Sequence, residues 1–167
     1  LAEVAVVFTG LPDRYESEGF DRDNMKMPES HVRLIEAVAQ ANANTVVVLL
    51  CGSAVECPWA DKVKAVLYMG LPGEAGGEAI ANLLYGKVNP SGKLAESWPY
   101  TYEDVPSAAV YGKMKDALYV EGICAGYRYY DKAAVPVRWP FGHGLSYTTF
   151  TYTDLTVQGR TATVTVT

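Results

Sequence analysis

The sequence predicts an α/β fold built on a mostly parallel sheet. Three short, almost uncharged runs, at residues 3–8, 45–50 and 63–68, are typical of strands that are buried on both faces. Two segments near residues 28–41 and 78–85 repeat apolar residues at helical spacing. The resulting order of strand, helix, strand, strand and helix is the pattern of a layered α/β domain.

The first half of the chain contains the clearest elements. Glu3 to Phe8 is a nearly continuous apolar run, and Thr45 to Leu50 is β-branched and uncharged. Pro28 suits the first turn of the intervening helix because its fixed φ is helical and its missing N–H is not needed there. The expected buried stripe of this helix is His31, Leu34, Ile35, Val38 and Ala41.

The second half is less regular. Val63 to Tyr68 is the third predicted strand, and a glycine-rich turn leads from it into a helix whose apolar face is Ile80, Leu83 and Leu84. A further strand is expected over Lys93 to Trp98. Tyr100 to Asp116 contains prolines and polar residues, so a loop is expected there.

From Thr148 the pattern changes to alternating apolar and polar residues, which predicts two strands joined near Gly159. Two strands are not stable alone, so we interpret them as the start of a further β-domain. The chain begins without methionine and ends inside a strand pattern. We therefore expect it to be an excised piece of a longer polypeptide.

Composition narrows the classes of function. The net charge is −5 and there is no basic run, which argues against nucleic acid or an anionic membrane as partner. The odd count of cysteines (Cys51, Cys57 and Cys124) argues against a disulfide framework, and with His31 and His143 they match no common metal-ligand spacing. We expect three buried thiols, no metal and no cofactor. Reduced cysteines favour a cytoplasmic location but leave a periplasmic or secreted one open.

The most chemically suggestive stretch is residues 15–22, Tyr-Glu-Ser-Glu-Gly-Phe-Asp-Arg. It follows the first predicted strand, where open α/β sheets place their ligand crevice. In an extended loop the carboxylates of Glu16 and Glu18 point the same way, and Gly19 permits close approach or an unusual backbone angle. A carboxylic acid that donates protons near neutral pH needs partial burial or neighbouring negative charge. The competing interpretation is a solvated acidic loop in which Arg22 forms a weak ion pair.

Other candidate sites are weaker. The glycines at residues 73–77 precede a helix, but their spacing matches no nucleotide-binding motif, and close strand–helix packing explains them better. Ser17 and Ser53 have no histidine partner for a catalytic triad. The aromatic cluster Tyr127, Tyr129, Tyr130, Trp139 and Phe141 is expected to be core rather than a sugar platform.

The motifs together resemble glycoside hydrolase family 3. The segments that carry the resemblance run in order through the chain: residues 16–22, 42–48, 58–59, 72–81, 85–94, 126–131 and 140–148. Each motif alone is unspecific, but seven in the family's order and at family-like spacing identify the chain with it. The resemblance implies that residues 1–147 are part of the C-terminal α/β domain, a three-layer sandwich, and that residues 148–167 begin a fibronectin-III-like domain.

The resemblance also implies a function. Such enzymes are retaining, exo-acting β-glycosidases that hydrolyse terminal β-linked sugars from oligosaccharides or from aryl and alkyl β-glycosides. Their nucleophile is an aspartate on a preceding (β/α)8 barrel, and their acid/base is a glutamate of a sandwich-domain loop. That glutamate maps onto Glu18, with Glu16 as the alternative, and we expect Glu16, Phe20, Asp21 and Arg22 to contact the sugar. The barrel partner is missing, so the fragment alone is expected to be inactive.

Two other classes of function are compatible with the sequence. A non-catalytic carbohydrate-binding or accessory module would hold the acidic loop away from any crevice, with Glu18 paired to Arg22. A nucleotide-binding α/β domain would place phosphate at residues 73–77.

Overall fold

The computed structural model describes residues 2–167 and is centred on a three-stranded parallel sheet in the order β1-β2-β3. The strands are β1, Ala5–Gly10, β2, Thr45–Leu50, and β3, Ala65–Tyr68. Ala5 lies opposite Thr45, and Val46 lies opposite Ala65. The mixed α/β class and the parallel pairing predicted from the apolar runs are confirmed.

Three helices accompany the strands: α1, Glu29–Ala41, α2, Gly76–Leu84, and α3, Tyr127–Ala133. Short 3-10 turns occur at residues 60–62, 102–104 and 122–124. Pro28 lies at the N-cap, one position before α1, with a ψ of 130° that is not helical, and not in the first turn where the sequence predicts it. Within residues 2–167 every helix is too short or too polar to cross a membrane.

Two further pairs of strands are antiparallel. The short strands β4, Trp98–Pro99, and β5, Val137–Trp139, pair with each other. The hairpin of β6, Tyr152–Gln158, and β7, Thr161–Val166, turns at Gly159, whose φ of 59° favours glycine. All its residues are exposed, so this hairpin contributes nothing to the main core.

The main core lies around β2. It includes two tryptophans, Trp59 and Trp98, and residues from the strands, α1 and the loops after β1 and β2. Its fully buried members include Ile35, Val47, Leu49, Cys51 and Val55. This packing fixes the end of β2, from which part of the candidate site extends.

Several predictions about burial are wrong. Burial on both faces holds for β2, but Val6 and Phe8 of β1 are 39% and 55% exposed, because no element of residues 2–167 covers that side. Leu34 is 49% exposed and Ala41 is exposed, because α1 packs through Val32, Ile35 and Val38 instead.

The strand expected over Lys93 to Trp98 is reduced to its last residue and Pro99. Leu94 instead exchanges backbone hydrogen bonds with a loop, donating to the His143 carbonyl and accepting from the Gly142 N–H. Two of the three thiols, Cys51 and Cys57, are buried as expected, but Cys124 is only partly buried. It follows the exposed Ile123 in a short turn outside the core.

The aromatic cluster is only partly core. Tyr130 is buried, and Trp139 packs edge-on against the buried Trp98 at a ring distance of 5.4 Å. Tyr127 and Phe141 stack on each other at 4.8 Å but are 40% and 49% exposed.

Candidate functional site at the carboxyl edge of the sheet

Two loops meet where the parallel strands end. The long loop 11–28 leaves β1, and the short segment 51–54 leaves β2, its neighbour in the sheet. Because both strands run the same way, both loops emerge at the carboxyl edge, the usual location of ligand sites in such sheets. The acidic stretch predicted from the sequence lies in the first of these loops.

Glu18 occupies the tip of a tight turn. Ser17 and Phe20 form an isolated antiparallel bridge, so Glu18 and Gly19 are the two residues that join them. Glu18 is exposed, and within residues 2–167 its carboxylate has no hydrogen bond or ion pair. Gly19 does not have a left-handed φ, and a Cβ there would meet nothing within 4 Å, so the expected need for glycine at this position is absent.

Glu16 has a different environment from Glu18. Its Oε2 accepts a hydrogen bond from the Gly52 N–H at 2.8 Å, and its Oε1 accepts one from the Ser53 hydroxyl at 2.8 Å. Both carboxylate oxygens are therefore bound to the segment that follows β2. The sequence pattern does not distinguish the two glutamates, but the structure does. The carboxylate of Glu16 is hydrogen-bonded, and that of Glu18 has no partner within residues 2–167.

Arg22 is directed to the same segment. Its Nη1 donates to the Ser53 hydroxyl at 2.7 Å and, more weakly, to the Ala54 carbonyl at 3.4 Å. Its Nη2 is buried and has no partner among residues 2–167. The Glu18–Arg22 ion pair that would favour an accessory module is not formed in this part of the chain.

The remaining predicted site residues face outward. Phe20 is 48% exposed and Asp21 is exposed. A hydrogen bond to Asp21 raises the pKa of the Tyr111 hydroxyl, and the negative charge of Asp21 adds to this effect. The loop around Tyr111 therefore borders the acidic stretch, a neighbour that no motif in the sequence indicated.

Burial and negative charge shape the floor of the site. Burial raises the pKa of the Cys51 thiol to about 12, with the Glu16 carboxylate as the next contribution. Partial desolvation raises the pKa of Glu96, and a hydrogen bond from the Ala54 N–H opposes this. Two carboxylates from different loops, Glu16 and Glu96, thus lie near the backbone of residues 52–54.

Sequence reasoning missed the role of Ser53. It was considered only as a nucleophile, for which it lacks a histidine, whereas the structure makes it the common partner of Glu16 and Arg22. A serine in the short segment that follows a buried strand, beside the expected crevice, was the available signal. Its partners lie 31 and 37 residues away, so no local pattern could identify them.

The other candidate sites have structural explanations. A Cβ on Gly76 would lie 2.7 Å from Cγ of Pro72, which supports close packing as the reason for that glycine. His143 stacks near Trp139 at 6.5 Å between ring centres. Within residues 2–167 no three His, Cys, Asp or Glu side chains are grouped to hold a metal ion.

Comparison with known proteins agrees with the resemblance read from the motifs. The family model described as "Glycosyl hydrolase family 3 C-terminal domain" matches residues 1–147. That boundary lies at the change of sequence pattern near Thr148 and shortly before the exposed hairpin, which begins at Tyr152.

Named relatives support the same assignment. The chain is 56% identical to thermostable beta-glucosidase B of Acetivibrio thermocellus, over 95% of this chain and 21% of the relative. It is 48% identical to an exo-alpha-(1->6)-L-arabinopyranosidase of Bifidobacterium longum, over 99% of this chain and 23% of the relative. The crystal structure of a beta-glucosidase from Kluyveromyces marxianus in complex with glucose matches with a TM-score of 0.86 and 43% identity, over 92% of this chain and 19% of that one. The chain thus spans about a fifth of the length of the curated relatives it matches.

Proposed function

Because the chain belongs to the glycosyl hydrolase family 3 C-terminal domain family, we propose that it is the acid/base-carrying part of a retaining, exo-acting β-glycosidase of the β-glucosidase type. The substrate class is a terminal β-linked sugar on an oligosaccharide or on an aryl or alkyl aglycone. The beta-glucosidase names of relatives support this class. The arabinopyranosidase relative is also close, so the proposal leaves the identity of the sugar open.

Glu18 is the proposed proton donor. The observation that carries this choice is its position at the exposed tip of the Ser17–Phe20 turn, with no protein partner within residues 2–167. A general acid must reach the leaving oxygen, so its carboxyl has to be free of competing protein hydrogen bonds. Both oxygens of the alternative, Glu16, are already hydrogen-bonded to residues 52 and 53.

The proposed reaction needs a second carboxylate from elsewhere in the longer polypeptide. In a retaining mechanism the two carboxyl groups lie about 5 to 5.5 Å apart. The nucleophile, expected on a (β/α)8 barrel, bonds to the anomeric carbon while Glu18 gives its proton to the departing oxygen. The resulting Glu18 carboxylate then takes a proton from water, whose oxygen displaces the enzyme from the sugar. Without a nucleophile and a bound sugar, the isolated chain is inactive.

Replacing Glu18 by glutamine in the full-length protein tests the role. The variant should lose about 10²- to 10⁴-fold in kcat/KM on cellobiose, whose leaving sugar needs the proton. It should lose far less on 2,4-dinitrophenyl β-glucoside, because that phenolate leaves without protonation. Azide should then accelerate turnover by replacing water, since azide needs no general base.

Glu3→Gln is the matched control. It makes the same chemical change to an exposed residue before β1, at the opposite edge of the sheet. It should leave both substrates unaffected. Full activity of Glu18→Gln on cellobiose would refute the assignment of Glu18.

The domain organisation is a second part of the proposal. Residues 1–147 belong to a three-layer α/β sandwich, and residues 148–167 are the first strands of a fibronectin-III-like domain. The end of the family match at residue 147 and the full exposure of the β6–β7 hairpin support this division. A structure of the longer polypeptide in which β6 and β7 join a sheet of the sandwich would contradict it.

A further inference from the structure

The two sides of the turn that carries Glu18 meet at one side chain of the segment after β2. Glu16, just before the Ser17–Phe20 turn, and Arg22, just after it, both bind the Ser53 hydroxyl. We propose that this arrangement, the Ser53 clamp of Glu16, Arg22 and residues 52–54, is the device that positions Glu18 for proton transfer. The inference rests on the proposed function and assigns Ser53 a positioning role in the same reaction.

The direction of each hydrogen bond follows from chemistry. A guanidinium can only donate and a carboxylate can only accept. The Ser53 hydroxyl therefore gives its one proton to Glu16 Oε1 and receives a proton from Arg22 Nη1, over 2.8 and 2.7 Å. Both bonds involve a charged partner, which makes them stronger than neutral ones. The hydroxyl links two opposite charges that make no direct ion pair with each other.

The backbone after β2 completes the clamp. The Gly52 N–H holds the second oxygen of Glu16 at 2.8 Å, and the Ala54 carbonyl lies 3.4 Å from Arg22 Nη1. A Cβ on Gly52 would come within 3.3 Å of Glu16 Oε1 and 3.1 Å of Leu71 Cδ1. Glycine at position 52 thus allows the carboxylate to approach the main chain closely.

Such anchoring matters because the loop is long. Residues 11–28 connect β1 to α1 without a helix or ladder strand of their own, and loops of that length have many accessible conformations. Catalytic groups need to be held within about 0.5 Å of their productive position, and a 1 Å error costs up to about 10²-fold in rate. Here the residues on both sides of a two-residue tip share one anchor, Ser53, in the segment that follows a buried strand. This arrangement meets that need.

The clamp gives Glu16 and Arg22 a positioning role beside the predicted contact with the sugar. Glu16 Oε1 and Arg22 Nη1 are bound to the Ser53 hydroxyl, whereas Arg22 Nη2 has no partner among residues 2–167. Glu16, Phe20, Asp21 and Arg22 therefore all remain predicted sugar contacts, with Nη2 as the free donor of Arg22.

The test compares Ser53→Ala, Ser53→Thr and Glu16→Gln in the full-length protein, with kcat/KM measured on cellobiose and on 2,4-dinitrophenyl β-glucoside. Ser53→Ala should reduce activity on cellobiose by about 10- to 100-fold, with a much smaller effect on the dinitrophenyl substrate. Ser53→Thr keeps the hydroxyl and should restore most of the loss. Glu16→Gln cannot accept from both residues 52 and 53 and should resemble Ser53→Ala.

A double variant separates positioning from other roles. If Ser53 acts through Glu18, adding Ser53→Ala to Glu18→Gln should cause no further loss on cellobiose. Multiplied losses, or equal losses on both substrates, would overturn the inference and indicate a sugar-binding or structural role. Thermal unfolding midpoints check that each variant folds. If Ser53→Ala does not fold, the same comparisons are made with Glu16→Gln.

The outcomes distinguish the inference from the proposal beneath it. A Glu18→Gln enzyme that is fully active on cellobiose removes both. If Glu18→Gln loses activity on cellobiose but Ser53→Ala is as active as the parent enzyme, only the positioning role of the clamp is refuted.

Discussion

Adjacent residues of α1 provide a sharp test of how the helix packs on the sheet. Ile35 is completely buried in the main core, whereas Leu34 is 49% exposed, although the sequence pattern placed both in the buried stripe. Replacing either by alanine removes three side-chain carbons from the same helix and changes helix propensity little. The difference in stability between the two variants therefore reports burial.

The magnitudes follow from the exposure of the two side chains. Ile35→Ala leaves a cavity in a closed core, which typically costs about 2–5 kcal/mol. Leu34→Ala loses about half of a full burial and leaves no cavity, so its cost is about 1 kcal/mol. For a chain of this size each kcal/mol shifts Tm by about 2–4 °C, which gives roughly 4–20 °C for Ile35→Ala and about 2–4 °C for Leu34→Ala.

Urea and thermal unfolding of the isolated chain, followed by circular dichroism at 222 nm, measure both values. The midpoints should separate clearly, with Ile35→Ala the less stable variant. Equal losses, or a larger loss for Leu34→Ala, would refute the packing of α1 through Val32, Ile35 and Val38.

Two further predictions concern the thiols and the glycine-rich turn. Burial raises the pKa of Cys51 and of Cys57 from 9.0 to about 12, so both stay protonated in the folded chain while the unfolded chain loses these protons above pH 9. The two buried thiols should therefore contribute their full share to the free energy of unfolding below pH 9, and this share should fall as the pH rises from 9 to 12. The fall should be less steep in a Cys51→Ala/Cys57→Ala variant. A thiol reagent at pH 8 should label Cys124 first, and equally fast labelling of all three thiols would contradict the burial of Cys51 and Cys57. In α2, Gly77→Ala should stabilise the fold by about 0.5–1 kcal/mol, because the added Cβ meets open space. Gly76→Ala should destabilise the fold by about 1–3 kcal/mol, because its Cβ would press against the Pro72 ring. Similar urea midpoints for the two variants would contradict the close packing at Gly76.

The sequence was most informative where local chemistry decides the structure. Thr45–Leu50 forms a strand with the predicted bounds, because a β-branched, uncharged run has few alternatives to a buried strand. The same reasoning failed for β1, since burial of its second face depends on what packs beside it and not on its own residues. It also failed for residues 93–97, because Leu94 pairs with a loop near residue 143, about 50 positions further along.

The site was predictable to the level of a segment but not to the level of a side chain. Position after the first strand indicated the acidic stretch, and the family resemblance selected Glu18 from it. Nothing local distinguishes Glu16 from Glu18, which alternate around one serine. Their difference arises from residues 52 and 53, which the folding of β1 beside β2 brings to the loop.

The position of Glu18, the proposed proton donor, is therefore set by one part of the polypeptide, and the surroundings that keep it protonated are expected to come from another. The contacts that hold the Ser17–Phe20 turn come from within the chain, through Ser53 and the buried strand before it. Glu18 itself is exposed, yet a carboxylic acid that donates protons near neutral pH needs partial burial or neighbouring negative charge. We expect both to come from a surface of the longer polypeptide that covers the turn when a sugar is bound and that carries the second carboxylate. The isolated chain should thus keep the turn in place and still lack activity, and turnover of a β-glucoside by the pure chain would contradict this division.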